Sequence, residues 1–541
     1  MKSRTWTPLL TTLLSLLLVL SPWSYQVAKA NQNAIAVDQN ELNASLETDG
    51  VLRVGMEADY APFNWTQTSA SDGAVPISNS QGEYANGYDV QIAKAIAQQL
   101  GLELEIVKVE WDGLPPALQS GKIDAIIAGM SPTPERLEQI DFSDSYYDSD
   151  IVVVTESDSQ YADASSLADL SGASLTGQLN TFHYDLIDQI PNVNKETALD
   201  TFPTMITSVL SGKIDGYISE RPGALAALAA NPDLNIVEFA DGQGFDLGDQ
   251  TTDIAVGVRK NSSLTNYINQ ALETIPQSDR DQMMEDMVDL NERGESQGFW
   301  AEVAGIWSNY GSQFLRGARN TMFIALISTL IGFIIGLIIA IIRSLKVGKD
   351  NLIAFVFYKL VDFLIACYIE IFRGTPMMVQ AMLIFYGSKL FFDLDLSSMA
   401  AALLIVSINT GAYLAEVIRG GISGVDKGQT EAAKAIGMNH FQTMTSIILP
   451  QAIRTTLPAL GNEFVINIKD TSVLNVIAVT ELFFITRSTA GSTYLTFQTF
   501  FIASIIYLVL TFTTTRLLNF VERKFSDDHS YRVHTSSTIQ Q

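Results

Sequence analysis

The chain has 541 residues, 33 Lys+Arg against 59 Asp+Glu, a formal net charge of −26 and one cysteine. It is too long for one ordinary domain, and so acidic a composition offers no basic surface to nucleic acid. A single cysteine excludes an internal disulfide, and no His, Cys and carboxylate grouping has metal-ligand spacing, so no cofactor is expected.

The charge divides unevenly. Residues 309–541 hold 18 Lys+Arg and 14 Asp+Glu, a net of +4, which leaves 15 and 45, a net of −30, for residues 1–308. An acidic half precedes a mildly basic, strongly apolar one. The acidity reads either as a solvated surface or as an electrostatic preference for cationic solutes.

Lys2 and Arg4, the apolar run Leu9–Leu20 and Ala28-Lys29-Ala30 have the pattern of a secretory signal over residues 1–30. An uncleaved signal anchor is the other reading, and either one exports the acidic half. After an extension at 31–49, residues from about Val51 to Trp307 alternate short β-branched runs with helical patterns, which predicts an α/β domain over about 50–300. Val51–Met56, Ile123–Ile127 and Ile151–Val154 read as strands, and Asp89–Gln99 as a helix ending at Gly101. Ser120-Gly121-Lys122-Ile123-Asp124 recurs as Ser211-Gly212-Lys213-Ile214-Asp215. In each copy a helical pattern stops at glycine and a strand begins. Gly129 and Glu220, five residues beyond each aspartate, fall at the carboxyl ends of strands, where open α/β sheets bind ligands.

Residues 301–319 read as a linker. Membrane spans are expected over Thr321–Ile342, Asn351–Phe392, Ser397–Ile418, Thr456–Ile485 and Thr496–Leu518, within a domain at 320–520. Asn351–Phe392 is too long for one span, and parity decides how to count it. A single crossing puts Arg343/Lys346/Lys349, Arg419/Lys427/Lys434 and Arg523/Lys524 all on the cytoplasmic side, with the acidic loop Asp393–Ser398 outside. Two crossings would reverse this, so five spans are expected, with the tail 521–541 in the cytoplasm.

Several soluble stretches carry a resemblance: Glu57-Ala58-Asp59-Tyr60-Ala61-Pro62-Phe63, Gly87-Tyr88-Asp89-Val90, Ile126 through Arg136, and Asp141 through Tyr147. This half resembles the extracytoplasmic binding proteins of polar amino-acid ABC importers. The resemblance implies a two-lobed periplasmic-binding-protein-like fold, with lobe 1 at about 50–153 and 250–300 and lobe 2 at about 154–249. It implies further that the lobes close on an amino acid. Arg136 would fork onto the ligand carboxylate, with Gly129 backbone groups and the Ser131 hydroxyl completing the cage. Glu220, where the family often has Asp, would take the ammonium. Tyr60 and Trp111 would sandwich the side chain or belong to the core, and Glu57 and Thr181 would add polar contacts. Glu57 and the acidic domain favour Lys, Arg or His over Gln.

The apolar half resembles the permease subunits of the same importers, an all-α type I domain. Its matching pieces are Tyr368 through Pro376, Gly411 through Glu416, Asn462 through Ser472, and the loop 431–450. That loop carries Glu431-Ala432-Ala433, then Gly437, then Pro450, a spacing that reads as helix, glycine break and a second helix stopped by proline. In the family this loop docks on a separate ATPase subunit, and no G-x-x-x-x-G-K-[ST] phosphate loop occurs in this chain. Five spans would supply half a pathway, so a second copy is expected as partner. Glu416, Glu463, Lys469 and Asp470 would line the path, or pair with one another or with interfacial lipid. The resemblance makes the chain a multi-pass protein of the cell membrane and a transporter subunit rather than an enzyme. A ligand-gated channel would need a filter such as TVGYG, and a sensor a cytoplasmic signalling domain.

Overall fold

The computed structural model describes residues 37–240, 242–248, 250–290, 298–345 and 351–526. The expected signal at 1–30 and the tail beyond residue 526 lie outside them.

The soluble half is built on two five-stranded sheets. The first runs Glu103–Lys108, Val51–Met56, Ala125–Ile126, Ile254–Arg259, Ile140–Tyr147. The second runs Asn194–Lys195, Ser174–Thr176, Gly216–Glu220, Ile151–Glu156, Leu234–Val237. Strands such as Val152–Val154 and Ile254–Val258 are continuous apolar runs because helices cover both faces of each sheet. Ile254–Arg259 returns antiparallel into the first sheet, so that lobe is discontinuous in sequence. The chain crosses between the lobes at 148–150 and again between Val237 and Ile254. A third sheet of four short strands, beginning at Asp59–Tyr60, lies on the first lobe. Helix Tyr88–Leu100 ends at Gly101 in the left-handed conformation (φ 69°).

The five-residue echo is a structural repeat. The Lys122 N–H reaches the Ala117 carbonyl at 2.9 Å, and the Lys213 N–H reaches Ser208 at 3.0 Å, past glycines at φ 71° and 65°. The aspartates then do the same work in both lobes. Asp124 Oδ2 accepts from the Arg53 N–H at 3.0 Å and Asp215 Oδ2 from the Ser174 N–H at 2.8 Å. Ahead of the first sheet, helix Gln39–Ala44 starts at Asp38, whose carboxylate accepts from the Asn40 N–H. Leu42 is fully buried there, so the described part of the extension is packed on the first lobe.

The apolar half is helical: α1 (Phe299–Ser344), α2 (Leu352–Gly374), α3 (Met377–Phe392), α4 (Ser398–Gly424), α5 (Lys427–Ala435), α6 (Leu449–Asp470), α7 (Leu482–Thr493) and α8 (Thr496–Ser526). Among the described residues four helices, α1, α2, α4 and α8, are long and apolar enough to cross a membrane. The sequence suggested five spans, and the differences have local causes. Asn351–Phe392 is not one helix, because Thr375 is extended ahead of Pro376 and separates α2, long enough to span, from the shorter α3. Thr456–Ile485 is not one helix either. α6 ends at Asp470, a 3₁₀ segment covers Thr471–Ile477, and α7 begins only at Leu482. Residues 301–319, expected as a linker, are the first part of α1. Gly317 serves packing there, since a Cβ at that position would stand 3.0 Å from the Leu482 Cα.

The same device joins α1 to α4. A Cβ at Gly332 would stand 2.7 Å from Thr410 Cγ2, and one at Gly336 2.8 Å from the Ala415 nitrogen. Glycines four residues apart thus let two membrane helices approach closely. Asn467 of α6 ties in a third helix by donating to Thr329 Oγ1 (2.8 Å) and Thr410 Oγ1 (3.0 Å).

The two ends of α4 meet different partners. Just ahead of its N-cap Ser397, Asp395 and the Leu396 carbonyl receive Lys122 Nζ of the soluble half at 2.7 and 3.2 Å. Past Gly424, only Val425 and Asp426 precede α5, the start of the 431–450 loop. Gly437 breaks that loop at φ 83°. Pro450, expected to stop a helix, instead sits in the first turn of α6 after a π turn over Met444–Ile448. The helical run is unbroken from His440 to Asp470, and the π turn ahead of Pro450 is where it adjusts to a residue that cannot donate to the regular ladder.

Candidate binding cleft

The carboxyl ends of the central strands of both lobes converge on one cleft. It is lined by Glu57, Tyr60, Trp111, Gly129, Ser131, Arg136, Gln178, Thr181, Phe182, His183 and Glu220. All eight soluble-half residues singled out from the sequence are among them. The space left between the side chains is about 10 Å³, close to that of one water. Nothing larger than a water fits between these side chains as the lobes stand.

Ala125–Ile126 delivers Gly129 (φ 63°), against which the Tyr60 ring packs 3.2 Å from where a Cβ would be. Arg136 opens from the helix Pro134–Gln139, capped by Thr133. Its Nη1 donates to the Ser131 carbonyl at 2.9 Å and its Nη2 to the Asn180 carbonyl of the other lobe at 3.3 Å. The guanidinium also covers the Trp111 ring, 5.1 Å from its centroid. Glu220 closes strand Gly216–Glu220 and is buried. It accepts the Tyr60 hydroxyl from the opposite lobe, and its Oε1 is 3.0 Å from His183 Nε2. Burial pushes the Glu220 carboxyl up, but the His183 imidazole and the Tyr60 hydroxyl outweigh that and hold it below its ordinary value. Thr181 donates to the Gln178 carbonyl at 2.8 Å.

Glu57 lines the cleft and is buried. Burial pushes its carboxyl well above the ordinary value, and the Asp59 and Glu110 carboxylates add to this against Arg487 and Lys108. One face of Tyr60 is taken by Phe202 of the second lobe, stacked at 4.4 Å and 9°. Sequence reasoning missed His183, Gln178, Phe182 and Phe202. Phe182 and His183 come directly after Thr181, but an isolated histidine or phenylalanine carries no spacing to mark it.

In the helical half the sequence candidates separate. Glu416 is ion-paired to Arg343 Nη1 at 2.9 Å and Arg419 Nη2 at 2.6 Å. Glu463 is half-buried in α6, whereas Lys469 and Asp470 are exposed at its end. Lys469 lines an open groove with Val465, Thr511 and Arg516. In the 431–450 loop Glu431, Ala432 and Gly437 are exposed and Ala433 is buried. Ile436 and Phe441 leave large apolar surfaces exposed beside them.

A two-lobed solute receptor joined to a bundle of membrane-spanning helices is the architecture of a binding-protein-dependent transporter. Residues 52–286 match the bacterial extracellular solute-binding proteins, family 3, and residues 351–527 the binding-protein-dependent transport system inner membrane component. The chain is 36% identical over 220 residues to the nopaline transport system permease protein NocM of Agrobacterium fabrum, covering 39% of this chain and 86% of that one. It is 34% identical over 211 residues to the glutamine transport system permease protein GlnP of Escherichia coli, covering 39% and 91%. A solved substrate-binding protein of an amino acid ABC transporter is 32% identical, with a TM-score of 0.37, covering 44% of this chain and 99% of that one. The chain belongs to the multi-pass inner-membrane permeases of binding-protein-dependent transport systems and carries a family-3 solute-binding domain on the same polypeptide.

Proposed function

We propose that this chain is the receptor and permease subunit of an ABC importer for polar amino acids, with Lys, Arg or His preferred over Gln. One observation carries the reading: the cleft brings a guanidinium (Arg136) and a carboxylate (Glu220) from opposite lobes to one small space flanked by Trp111 and Tyr60. An α-amino acid presents the complementary pair of charges. Arg136 and the Gly129–Ser131 segment take the carboxylate, Glu220 takes the ammonium, and Trp111 and Tyr60 flank the side chain. Glu57, which lines the same cleft, favours a side chain that ends in a cation. NocM and GlnP, a nopaline and a glutamine transport permease, support a nitrogen-rich amino-acid ligand.

The binding domain works outside and the loop 431–450 docks an ATPase of a separate polypeptide in the cytoplasm. Their attachment at opposite ends of α4 supports this orientation. Two copies pair to complete the pathway, with Glu463, Lys469 and Asp470 of α6 towards it. Reconstitution tests the whole reading: with its ATPase and ATP the chain accumulates labelled L-arginine inside liposomes. Accumulation without the ATPase, or an ion current on adding L-arginine, sinks the importer reading.

A further inference from the structure

We propose that Arg487 of α7 is a latch that grips both lobes at once, so that the membrane helices favour the closed receptor and register its closure. Arg487 Nη1 lies 3.0 Å from Glu110 Oε2 of the first lobe and 3.6 Å from Asp200 Oδ2 of the second. Residues 494–496 repeat the arrangement. The Tyr494 hydroxyl donates to the Ala61 carbonyl of the first lobe at 2.8 Å, and Thr496 Oγ1 to the Pro203 carbonyl of the second at 3.1 Å. Between them and Arg487, Gly491 lies so close to Asp59 that a Cβ would come within 2.3 Å of the Asp59 Cβ. A cavity of 190 Å³ remains where Asp59, Asp200, Pro203 and Arg487 meet, at the seam of the two lobes and α7.

Glu110 and Asp200 belong to different lobes, and opening the cleft draws them apart. One guanidinium, with donors fixed in a rigid fork, satisfies both only when the cleft is shut. Around Arg487 the carboxylates of Glu57, Asp59 and Glu110 are largely buried and that of Asp200 is exposed, and buried carboxylates held close together repel unless a cation is present. Lys108 supplies one cation from within the first lobe, and Arg487 supplies a second from outside the receptor. Both carboxylates adjoin the cleft: Glu110 precedes Trp111, and Asp200 lies two residues before Phe202, which stacks on Tyr60. Linkage then requires reciprocity. Whatever factor the latch gives to closure, and so to ligand affinity, the ligand returns to the engagement of α7.

The test uses the full chain in nanodiscs, with Cys367 replaced by serine and one spin label on each lobe. Arg487→Gln and Asp200→Asn are each expected to move the lobe-to-lobe distance distribution towards the open form, and the double variant to move it no further than Arg487→Gln alone. An unchanged distribution, or two effects that add independently, overturns the latch. Asp200→Asn, with a largely exposed side chain, decides alone if Arg487→Gln does not reconstitute. A second arm rests on the amino-acid reading: radiolabelled L-arginine and L-glutamine should bind either single variant roughly fivefold more weakly or worse. Equal or tighter binding by the variants contradicts the latch. If the unaltered chain binds neither probe, the amino-acid reading fails, and the distance measurement still decides the latch.

Discussion

His183 Nε2 stands 3.0 Å from Glu220 Oε1, within the second lobe, while the Tyr60 hydroxyl reaches the same carboxylate from the first. Two lobes therefore share one buried anion. Because the Glu220 carboxyl is held below its ordinary value, its contribution is present at neutral pH and lost as pH falls through that lowered value. Removing His183 lets burial dominate and moves the loss to higher pH. We expect His183→Ala to weaken L-arginine binding by about 1.5–3 kcal/mol and to make affinity fall earlier on acidification. Calorimetric titration across neutral to acidic pH checks this, and an unaltered pH profile in the variant means that His183 does not set the charge of Glu220.

Arg136 is the guanidinium that touches both Ser131 and Asn180 across the cleft. Arg136→Ala is expected to cost at least about 2–5 kcal/mol for every α-amino acid tested, the loss typical of breaking a buried charge pair. Trp111→Ala should instead change the ranking of amino acids while leaving the tightest within roughly tenfold. Normal binding by Arg136→Ala overturns the carboxylate assignment.

A cationic side chain arriving beside Glu57 meets a carboxyl held well above its ordinary value by burial and by Asp59 and Glu110. The cation lowers that value again, so protons are released at pH values between the two. The affinity for L-arginine should consequently rise with pH in that window, by up to about tenfold per unit for one linked proton. L-Glutamine should show no such slope. Titration in buffers of different ionisation enthalpy measures the released protons directly, and Glu57→Gln should abolish the release.

The loop between α4 and α6 is far from the cleft along the chain, and its glycine sits at φ 83°. Gly437→Val forces a branched side chain into a conformation costing roughly 1–2 kcal/mol, and Glu431→Lys reverses an exposed charge. Both are expected to cut ATP-driven uptake severalfold or more while ligand affinity in detergent stays within about twofold. A matching fall in ligand affinity counts against a coupling role.

Packing of the membrane helices offers a stability test. Gly336→Leu puts a branched side chain where even a Cβ would stand 2.8 Å from the Ala415 nitrogen. Overpacking of this kind costs about 1–3 kcal/mol, so the thermal midpoint in detergent should fall by several degrees. The exposed Leu383→Ala, on α3, should leave it nearly unchanged.

The soluble half was readable because its signals are local. A glycine after a helix, a β-branched run and an aspartate at fixed spacing recur in both lobes, and they lead to Gly129 and Glu220. Arg136 and Tyr60 came with motifs of neighbouring residues, and Trp111 with the position of an aromatic in the family the chain resembles. His183 and Phe202 did not, since their roles exist only where the lobes face each other. Hydropathy found the long helices α1, α2, α4 and α8 but misjudged the stretches around them. It joined α2 to α3 across Pro376 and merged α6 with α7. It also left Arg487 inside no motif, although that side chain lies where α7 meets both lobes. Gly332 and Gly336 were a pattern in plain view that only the approach of Thr410 and Ala415 explains.

α4 begins beside the ion pair of Lys122 with Asp395 and ends two residues from α5. At 1.5 Å per residue its 27 residues span about 40 Å, held along one side by the glycines of α1. A helix of that length packed along one side is stiff, so a tilt at its Lys122 end would displace the 431–450 loop at the other. The same rigidity runs backwards, so a pull on the 431–450 loop would be felt at Lys122 in the same stroke.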